Sequence, residues 1–584
     1  MRRGGDTARP QPRIIPAAAG TARSRTGQAP GEASGPVNGR RGRRDRLAEV
    51  GRGGTLNLAA AAVSAVATTV LTVFITRQFS KPVAGAFFTA TSAFLILSAV
   101  GGLGTNVGLT YFIARLRSLH SENRIPVIMR AAIMPVFAAS VAVAVVLMLL
   151  AEPLARVILD GRAVHSGVPP AEVAQALRGL ALALPFAGLL NAYLGASRGY
   201  RDMRPSAILG QVGLSFGRLL GVLAAAAVGS AALLAPLWVL PYLPLALVSW
   251  LWLRRIRRDS NPRRAALADV PPEVAALLAL ATPVLPRATR VAGQRTRRRQ
   301  LANANPRGFW RFTIPRGIAA TAQSVLQQID IVLVAGMRGP VAAAVYTAAT
   351  RFLVLGQFGG MAISRAAQPR FTELFTVGDH RGANVIYQAT TAWLVLLMWP
   401  LYLLAAVFGP QALVIFGHSY RAGGDVMIIL ALTMLLATAC GQVDMVLVTS
   451  GRSTWSLVNG LLAVGVNVGL DLLLIPKYGI TGAAIGWAIA IAVSNLMPLA
   501  QLAATFRLHP FGRGTILACL LMAVSFGAIP LAARAVLGTG VKGSAAAVAA
   551  GCAVAAAGLW KFRRVLRLSA MPGLAVIAGR WQRR

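Results

Sequence analysis

Long apolar segments separated by short polar turns recur along most of this chain. Each holds about 20 or more residues, the length that an α-helix needs to cross the hydrocarbon core of a bilayer. The pattern predicts an all-α polytopic membrane protein with about 14 transmembrane helices. The predicted spans lie at residues 55–76, 84–113, 131–151, 176–197, 206–229, 231–253, 312–336, 342–369, 385–408, 425–449, 455–475, 480–505, 514–534 and 543–560.

Two of these segments nearly repeat each other. Residues 82–102 read PVAGAFFTATSAFLILSAVGG and residues 340–360 read PVAAAVYTAATRFLVLGQFGG; 11 of the 21 paired positions are identical at a shift of 258. Six predicted helices precede a long basic loop and six follow it, so both halves enter the membrane in the same orientation. Parallel repeats of this kind are related by an axis along the membrane normal. We therefore predict two six-helix lobes with pseudo-twofold symmetry, plus two extra C-terminal helices.

Composition divides the chain further. Basic residues cluster in the N-terminal tail, the central loop and the C-terminal tail. The N-terminal tail is also rich in Gly, Pro and Ala with few large apolar residues, a composition that does not bury enough apolar surface to fold. The predicted segments are a disordered basic tail at 1–52, an N-lobe of helices one to six at 53–253, a basic linker at 254–309, a C-lobe of helices seven to twelve at 310–510, helices thirteen and fourteen at 511–560, and a basic C-terminal tail at 561–584.

The net charge raises the question of nucleic-acid binding. The 584 residues carry a formal charge of +41, although only 13% are charged and 56% are hydrophobic. With the N-terminus in the cytoplasm, most of the 59 Lys and Arg residues fall in cytoplasmic segments, as the positive-inside rule requires. A nucleic-acid protein would show a folded basic module with interleaved aromatic residues, and none is visible. We predict cytoplasmic termini, no nucleic-acid partner, and contacts between the basic segments and anionic lipids.

Span seven carries the richest set of polar residues within an apolar segment. At 100° per residue, Arg316, Gln323, Gln327 and Asp330 share one face and form a stripe about 21 Å long. An ionisable residue in a span costs roughly 2.5–3.5 kcal/mol on insertion scales, so each is a candidate functional group. We predict that the stripe lines a substrate cavity. The structural alternative is that it joins helices, or that the arginine reaches the headgroups.

Arginines outnumber acids among the ionisable residues of the spans. A cationic cavity suits an anionic substrate, and arginine holds phosphate with two parallel hydrogen bonds. The two clearly intramembrane acids, Asp330 and Asp444, are candidates for coupling to a proton or sodium ion; alternatively, each pairs with a neighbouring arginine. The further substrate-binding candidates are Asn57 in span one, Arg218 in span five, and Arg351 and Arg365 in span eight.

Motifs of soluble enzymes are missing from the sequence. It has no G-x-x-x-x-G-K-[ST] loop, no G-x-S-x-G elbow and no paired acidic motif on a soluble loop. Its three cysteines lie far apart in apolar segments and its five histidines are scattered, which fits neither a disulfide framework nor a metal site. We predict that the protein is not an enzyme and uses no cofactor or metal.

Several segments resemble the Wzx-type polysaccharide biosynthesis flippases of the multidrug/oligosaccharidyl-lipid/polysaccharide (MOP) exporter superfamily. They are RGGTLNL at 52–58, FSKPVAGAFFTATSAFLI at 79–96, FWRFTIPRG at 309–317, QIDIVLVAGMRGPVAAAVYTAATRF at 328–352 and YGITGAAIGWAIA at 478–490. The resemblance implies a MATE-like pair of lobes in a V shape, opening alternately to either side of the bacterial plasma membrane. It also implies a polyprenyl-pyrophosphate-linked oligosaccharide as cargo, and polysaccharide-assembly proteins as partners.

Other functions remain open at this stage. A lipid II flippase has a related cargo, and cavity arginines contact the pyrophosphate in those relatives; Arg316 and Arg351 lie in corresponding helices. A cation-coupled multidrug exporter of the same fold would need an acid-rich cavity. A membrane scaffold would use the basic tails to recruit anionic lipids or proteins.

Overall fold

Long α-helices follow one another through the computed structural model, which describes residues 59–119, 121–159, 169–259, 305–538 and 540–566. No strand occurs within those ranges. Thirteen of the helices there are long and apolar enough to cross a membrane. One more helix, Pro340–Thr376 with 37 residues, occupies the position of the predicted eighth span. The prediction of an all-α polytopic fold with about 14 spans is confirmed.

The helices form two sets of six and a final pair. The N-lobe contains α1 (Ala59–Gln78), α2 (Lys81–Ser118), α3 (Glu122–Arg156), α4 (Pro170–Gly199), α5 (Ser206–Val228) and α6 (Leu234–Asp259). The C-lobe contains α7 (Pro306–Arg338), α8 (Pro340–Thr376), α9 (His380–Phe416), α10 (His418–Thr449), α11 (Ser453–Tyr478) and α12 (Ile480–Phe506). The pair consists of α13 (Arg513–Val536) and α14 (Lys542–Lys561).

A tight turn joins α7 to α8. Asn305 caps the start of α7, its side chain accepting a hydrogen bond from the Gly308 amide at 2.7 Å. Gly339 ends α7 with a φ of 85°, a conformation that glycine adopts without a steric penalty. Pro340 follows and starts α8, where its missing N–H leaves no hydrogen bond unmade. The two helices therefore form a tight hairpin, and side chains can bond across it.

The two lobes touch along α2. A break at Leu103 and Gly104, both with positive φ, divides this helix into two parts. In the first part, a Cβ added to Gly85 would lie 1.7 Å from the carbonyl oxygen of Pro340. At the break, a Cβ added to Gly104 would lie 2.4 Å from the Cα of Gly317 in α7. These glycines let the backbones of the two lobes meet at two levels, as small residues do between membrane helices.

Two cations make a further contact between the lobes at the α1–α2 turn. Arg77 donates hydrogen bonds of 2.8 Å to the carbonyl oxygens of Val414 and Ile415 in the last turn of α9. Lys81 donates to the carbonyl oxygen of Ser419 at 3.1 Å. Cations are favourable beside the carbonyl end of a helix. The lobes are therefore held together at the end of the molecule where α1 meets α2.

The final pair of helices packs on the outside of α9. An apolar cluster joins Val395 of α9 to Ala518 of α13 and Ala555 of α14. Trp393 also donates a hydrogen bond from its indole nitrogen to the carbonyl oxygen of Leu566, which follows α14, at 3.1 Å. The pair therefore belongs to the C-lobe side of the molecule and does not separate the two lobes.

Three of the predicted segments lie wholly or largely outside the described residues. They are the tail at 1–52, the linker at 254–309 (of which 260–304 are outside), and the C-terminal tail at 561–584 (outside from 567 onward). The boundaries assigned to these segments, and the disorder of the first, stay predictions.

Candidate functional site

A buried acidic cluster lies where α7, α8 and α11 meet. The hydroxyl of Tyr346 donates a 2.6 Å hydrogen bond to Asp330 Oδ2. Asn467 Nδ2 donates to Asp471 Oδ2 at 3.3 Å, and the carboxyl groups of Asp330 and Asp471 lie within hydrogen-bonding reach of each other. None of the four side chains is more than 4% exposed. The cluster is thus closed off from both lipid and water.

Three oxygens of this cluster lack a hydrogen-bond partner: Asp330 Oδ1, Asn467 Oδ1 and Asp471 Oδ1. Glycine at position 486 of α12 makes room for one of them, since a Cβ there would lie 2.4 Å from Asp471 Oδ1. Two adjacent carboxylates repel each other strongly in a low-dielectric site, so the pair is stable only with a shared proton or a bound cation. The arrangement can therefore bind and release one small cation.

Within the described part of the chain, no arginine forms an ion pair with this cluster. Neither Asp330 nor Asp471 belongs to any ion pair within the described ranges. The same ranges contain no group of three or more His, Cys, Asp or Glu side chains that could hold a metal ion. Two carboxylates and an amide are hard oxygen donors, which suit a proton or an alkali cation better than a soft transition metal.

Sequence reasoning found Asp330 but missed Asp471. Asn467 and Asp471 lie four residues apart on α11 and therefore share a face, a signal that was present within the predicted span 455–475. Asp444, the other predicted coupling residue, is exposed near the end of α10, where it accepts a hydrogen bond from Ser456. Only Asp330 of the two predicted acids therefore lies in a buried cluster.

A cationic cavity of about 790 Å³ lies between the lobes. Arg115 of α2, Arg198 of α4 and Arg316 of α7 line it, together with the rings of Tyr111 and Phe312. No acidic residue is among its lining residues. A small anion or a phosphate group would meet three guanidinium groups here, each with several N–H donors.

Aromatic rings hold two of these arginines in place. Tyr111 of α2 stacks on Phe312 of α7 with ring centroids 4.2 Å apart. The guanidinium carbon of Arg316 lies 3.7 Å from the centroid of Phe312, and that of Arg115 lies 5.9 Å from the centroid of Tyr111. Cation–π contacts orient an arginine without neutralising its charge. The stack therefore joins the lobes and presents two cations to the cavity.

A second, uncharged cavity of about 400 Å³ lies within the C-lobe. Gln323 and Gln327 line it from α7, and Gln442 and Asn495 line it from α10 and α12. The predicted stripe on α7 is therefore divided among three environments. Its arginine lies in the cationic cavity, its two glutamines in the neutral cavity and its aspartate in the acidic cluster.

Comparison with known proteins agrees with this architecture. The MatE family model matches residues 315–473, the part of the chain that contains the stripe and the acidic cluster. The structure is similar to that of the lipid II flippase MurJ in an inward closed conformation, with a TM-score of 0.62 and 12% identity over 86% of this chain and 99% of that one. The chain has the fold of the MOP superfamily.

A second MOP structure supports the same conclusion. It is a multidrug resistance MATE family transporter in an inward-facing conformation, with a TM-score of 0.54 and 15% identity over 77% of this chain and 98% of that one. No curated protein is significantly similar to the chain in sequence. The MatE match covers part of the chain, and the two structures show the fold, so the expectation of a MOP-type fold is confirmed; the Wzx-type assignment stays a prediction.

The remaining predicted residues of this MOP fold lie apart from the two cavities. Arg351 lines neither cavity, and its Nε is buried without a hydrogen-bond partner. Arg218 donates to the hydroxyl of Tyr242 at 2.6 Å and stacks on Trp238, with its guanidinium carbon 3.9 Å from the ring centroid. Asn57 and the side chain of Arg365 lie outside the described part of the chain. Their assignment to substrate binding stays a prediction.

Proposed function

We propose that the protein is a flippase that moves a polyprenyl-pyrophosphate-linked oligosaccharide across the bacterial plasma membrane for cell-surface polysaccharide synthesis. The observation that carries this proposal is the inter-lobe cavity that Arg115, Arg198 and Arg316 line together. A pyrophosphate presents several anionic oxygens, and guanidinium groups bind such oxygens with charge-assisted hydrogen bonds. A cationic drug would be repelled by the same cavity.

The position of the cavity in the proposed topology suits a lipid-anchored substrate. With a cytoplasmic N-terminus, the end of α2, the end of α4 and the start of α7 all lie on the cytoplasmic side. The cavity then lies near the level of the inner-leaflet headgroups, where a membrane-anchored lipid presents its pyrophosphate. The substrate enters between the lobes and leaves on the other side when the α1–α2 end opens.

Charge also sets the direction of transport. Moving one negative charge outward across an inside-negative membrane is favourable by about 2.3 kcal/mol per 100 mV. The acidic cluster supplies a second energy source, because Asp330 and Asp471 bind a proton or sodium ion in one state and release it in another. Arg316 and Asp330 belong to the same helix and lie about 21 Å apart along it. A movement of α7 therefore couples ion release to cargo movement.

Two alternative functions would use parts of the same geometry. A lipid II flippase would use the same cationic cavity, since both cargoes carry a pyrophosphate; the likeness to MurJ favours it as the second candidate. A cation-coupled drug exporter is supported by the buried Asp330–Asp471 pair, but the cavity between the lobes lacks the acidic residues that such a substrate requires.

The deciding experiment is replacement of Arg316 in the native host. Arg316→Ala should abolish or strongly reduce surface polysaccharide while membrane insertion stays normal. The matched control is Arg311→Ala, because Arg311 is exposed on the same helix and does not line the cavity. Unchanged polysaccharide together with a loss of drug resistance would overturn the proposal in favour of an exporter. Death of the host from arrested cell-wall synthesis would favour lipid II as the cargo.

The remaining expectations depend on this function. Contacts of the basic segments with anionic lipids, and of the protein with polysaccharide-assembly proteins, stay predictions. The same holds for the cytoplasmic position of both termini.

A further inference from the structure

The neutral cavity of the C-lobe has an unusual lining for a space inside a membrane protein. Helices α7, α8, α9, α10 and α12 enclose it, and its volume of about 400 Å³ lies within the range of small-molecule sites. Among the residues that the structure describes, its lining combines amides, hydroxyls and an indole ring with Leu, Met and Ile side chains, and includes no Asp, Glu, Lys, Arg or His. The polar lining groups are Gln323, Gln327, Ser364, Tyr402, Thr438, Gln442, Trp487 and Asn495.

The buried hydroxyl of Tyr402 indicates that the cavity binds a ligand. This residue is 1% exposed, and its hydroxyl has no hydrogen-bond partner within the described part of the chain. A buried hydroxyl without a partner is unfavourable, and phenylalanine would fill the same space without that penalty. A bound molecule that hydrogen-bonds to this hydroxyl would satisfy it.

The amides of the cavity also keep groups available to a ligand. Gln442 donates from Nε2 to the carbonyl oxygen of Gly360 at 3.2 Å, which leaves its Oε1 as an acceptor. Asn495 donates from Nδ2 to the carbonyl oxygen of Ile491 at 2.8 Å, which leaves its Oδ1. The cavity therefore offers oxygen acceptors from α10 and α12 and a hydroxyl donor from α9.

We propose that this cavity is a subsite for uncharged sugar units of the cargo, and this inference rests on the proposed function. Sugar hydroxyls donate and accept hydrogen bonds, as do the amides and the hydroxyl around them. The ring of Trp487 supplies an apolar face for the C–H side of a sugar. The described lining residues include no cation that would pair with a sugar carboxylate. The subsite is therefore proposed to favour neutral sugars over uronic acids.

The spacing along α7 agrees with a single extended substrate. Gln323 and Gln327 lie seven and eleven residues after Arg316, or about 10 Å and 16 Å along the helix axis. A pyrophosphate held by Arg316 would therefore have its first sugars beside these glutamines. Helix α7 would therefore contact both the phosphate and the glycan.

The test measures binding to the full-length protein in lipid nanodiscs, because sugar-based detergents would compete for the cavity. Three probes are compared: decaprenyl pyrophosphate alone, the same lipid carrying a neutral N-acetylglucosamine disaccharide, and the same lipid carrying glucuronic acid. The neutral glycolipid should bind about threefold to tenfold more tightly than the bare lipid, the range of one or two net hydrogen bonds. The glucuronic acid lipid should show no gain.

The Tyr402→Phe variant tests whether the Tyr402 hydroxyl binds the sugar or stabilises the fold. It should remove most of the gain from the neutral disaccharide and leave the affinity for the bare lipid unchanged. Thermal stability should stay the same or rise, because the lost hydroxyl had no partner. Gln327→Leu should act in the same direction. The matched control is Ser324→Ala, since Ser324 lies on the same helix outside the cavity and donates only to the Ala320 carbonyl oxygen.

The outcomes distinguish this inference from the proposed function. Tight binding of the bare lipid with no gain from the disaccharide, or with an unaltered gain in Tyr402→Phe, overturns the sugar subsite and leaves the flippase intact. If neither the bare lipid nor either glycolipid binds, the proposed function fails. In that case free chitobiose is the probe: binding that Tyr402→Phe weakens keeps the sugar subsite, and absence of binding overturns it as well.

Discussion

The hydroxyl of Tyr346 donates a 2.6 Å hydrogen bond to Asp330 Oδ2 and so ties α8 to α7 inside the C-lobe. At the shift of 258 that relates the two halves, the corresponding N-lobe residues are Phe88 and Thr72, both buried. Phenylalanine has no donor, so the N-lobe cannot form this bond. The duplication therefore produced two similar lobes, of which the C-lobe holds the acidic pair.

Tyr346→Phe should weaken this pair without changing the shape of the site. The carboxylate loses its donor while the ring remains, so the free energy of unfolding should fall by about 1–2 kcal/mol. Flipping in proteoliposomes should also lose part of its dependence on an ion gradient. The control is Tyr420→Phe, because the Tyr420 hydroxyl is buried without a partner and its removal should not destabilise the protein. Equal destabilisation by both variants would contradict the assigned role of the bond.

Asp471→Asn should uncouple transport from the ion gradient. It removes one of two neighbouring carboxylates. Asp330 then has no second negative charge beside it, so the site binds a cation less strongly. The dependence of flipping on a sodium or proton gradient should fall by at least about tenfold, with stability kept or raised because the repulsion is gone. Asp444→Asn is the matched control, since Asp444 is exposed. A larger effect of Asp444→Asn than of Asp471→Asn would refute this assignment.

Gly85→Ala should open the contact between the lobes at the α1–α2 end. The new Cβ would lie 1.7 Å from the carbonyl oxygen of Pro340, so the helices must separate. Overpacking of this kind costs about 1–3 kcal/mol and should shift the population away from the closed arrangement. Spin labels at the exposed positions Gln78 and His418 would report the separation by pulsed EPR, in a background without the three native cysteines.

Gly102→Ala serves as the control for that measurement. It lies on the same helix, but an added Cβ there meets no atom within 4 Å. The label-to-label distance should match that of the wild-type protein. A similar shift in both variants would mean that helix propensity, and not the contact with Pro340, controls the closure.

Arg218 and Arg316 should respond oppositely to alanine substitution. Arg218→Ala removes the stack on Trp238 and the hydrogen bond to Tyr242, so it should lower thermal stability while leaving the affinity for decaprenyl pyrophosphate within about twofold. Arg316→Ala should weaken that affinity about tenfold or more with little change in stability, since its loss removes a cation from the cavity. A loss of affinity in Arg218→Ala with unchanged stability would place Arg218 in the binding site.

The position of Asp471 beside Asp330 could not be predicted from the sequence. Its position on one face with Asn467 follows from the period of the helix, and so does the shared face of Arg316 and Asp330. The period gives the direction in which a side chain leaves its helix. It does not say which helix lies opposite, and Asp330 faces Asp471 only because α11 packs on α7 in the folded C-lobe.

The sequence by itself determined the number of spans, the duplication and the unequal repeat, because a bilayer admits only apolar helices of sufficient length and those are local patterns. Tertiary structure decided how the stripe on α7 is used. Arg316 lines a cavity together with Arg115 and Arg198 of the other lobe, the two glutamines line a second cavity without described charged residues, and Asp330 lies beside a second carboxyl group. Each environment includes residues more than a hundred positions away in the chain, so only packing of the helices brings them together.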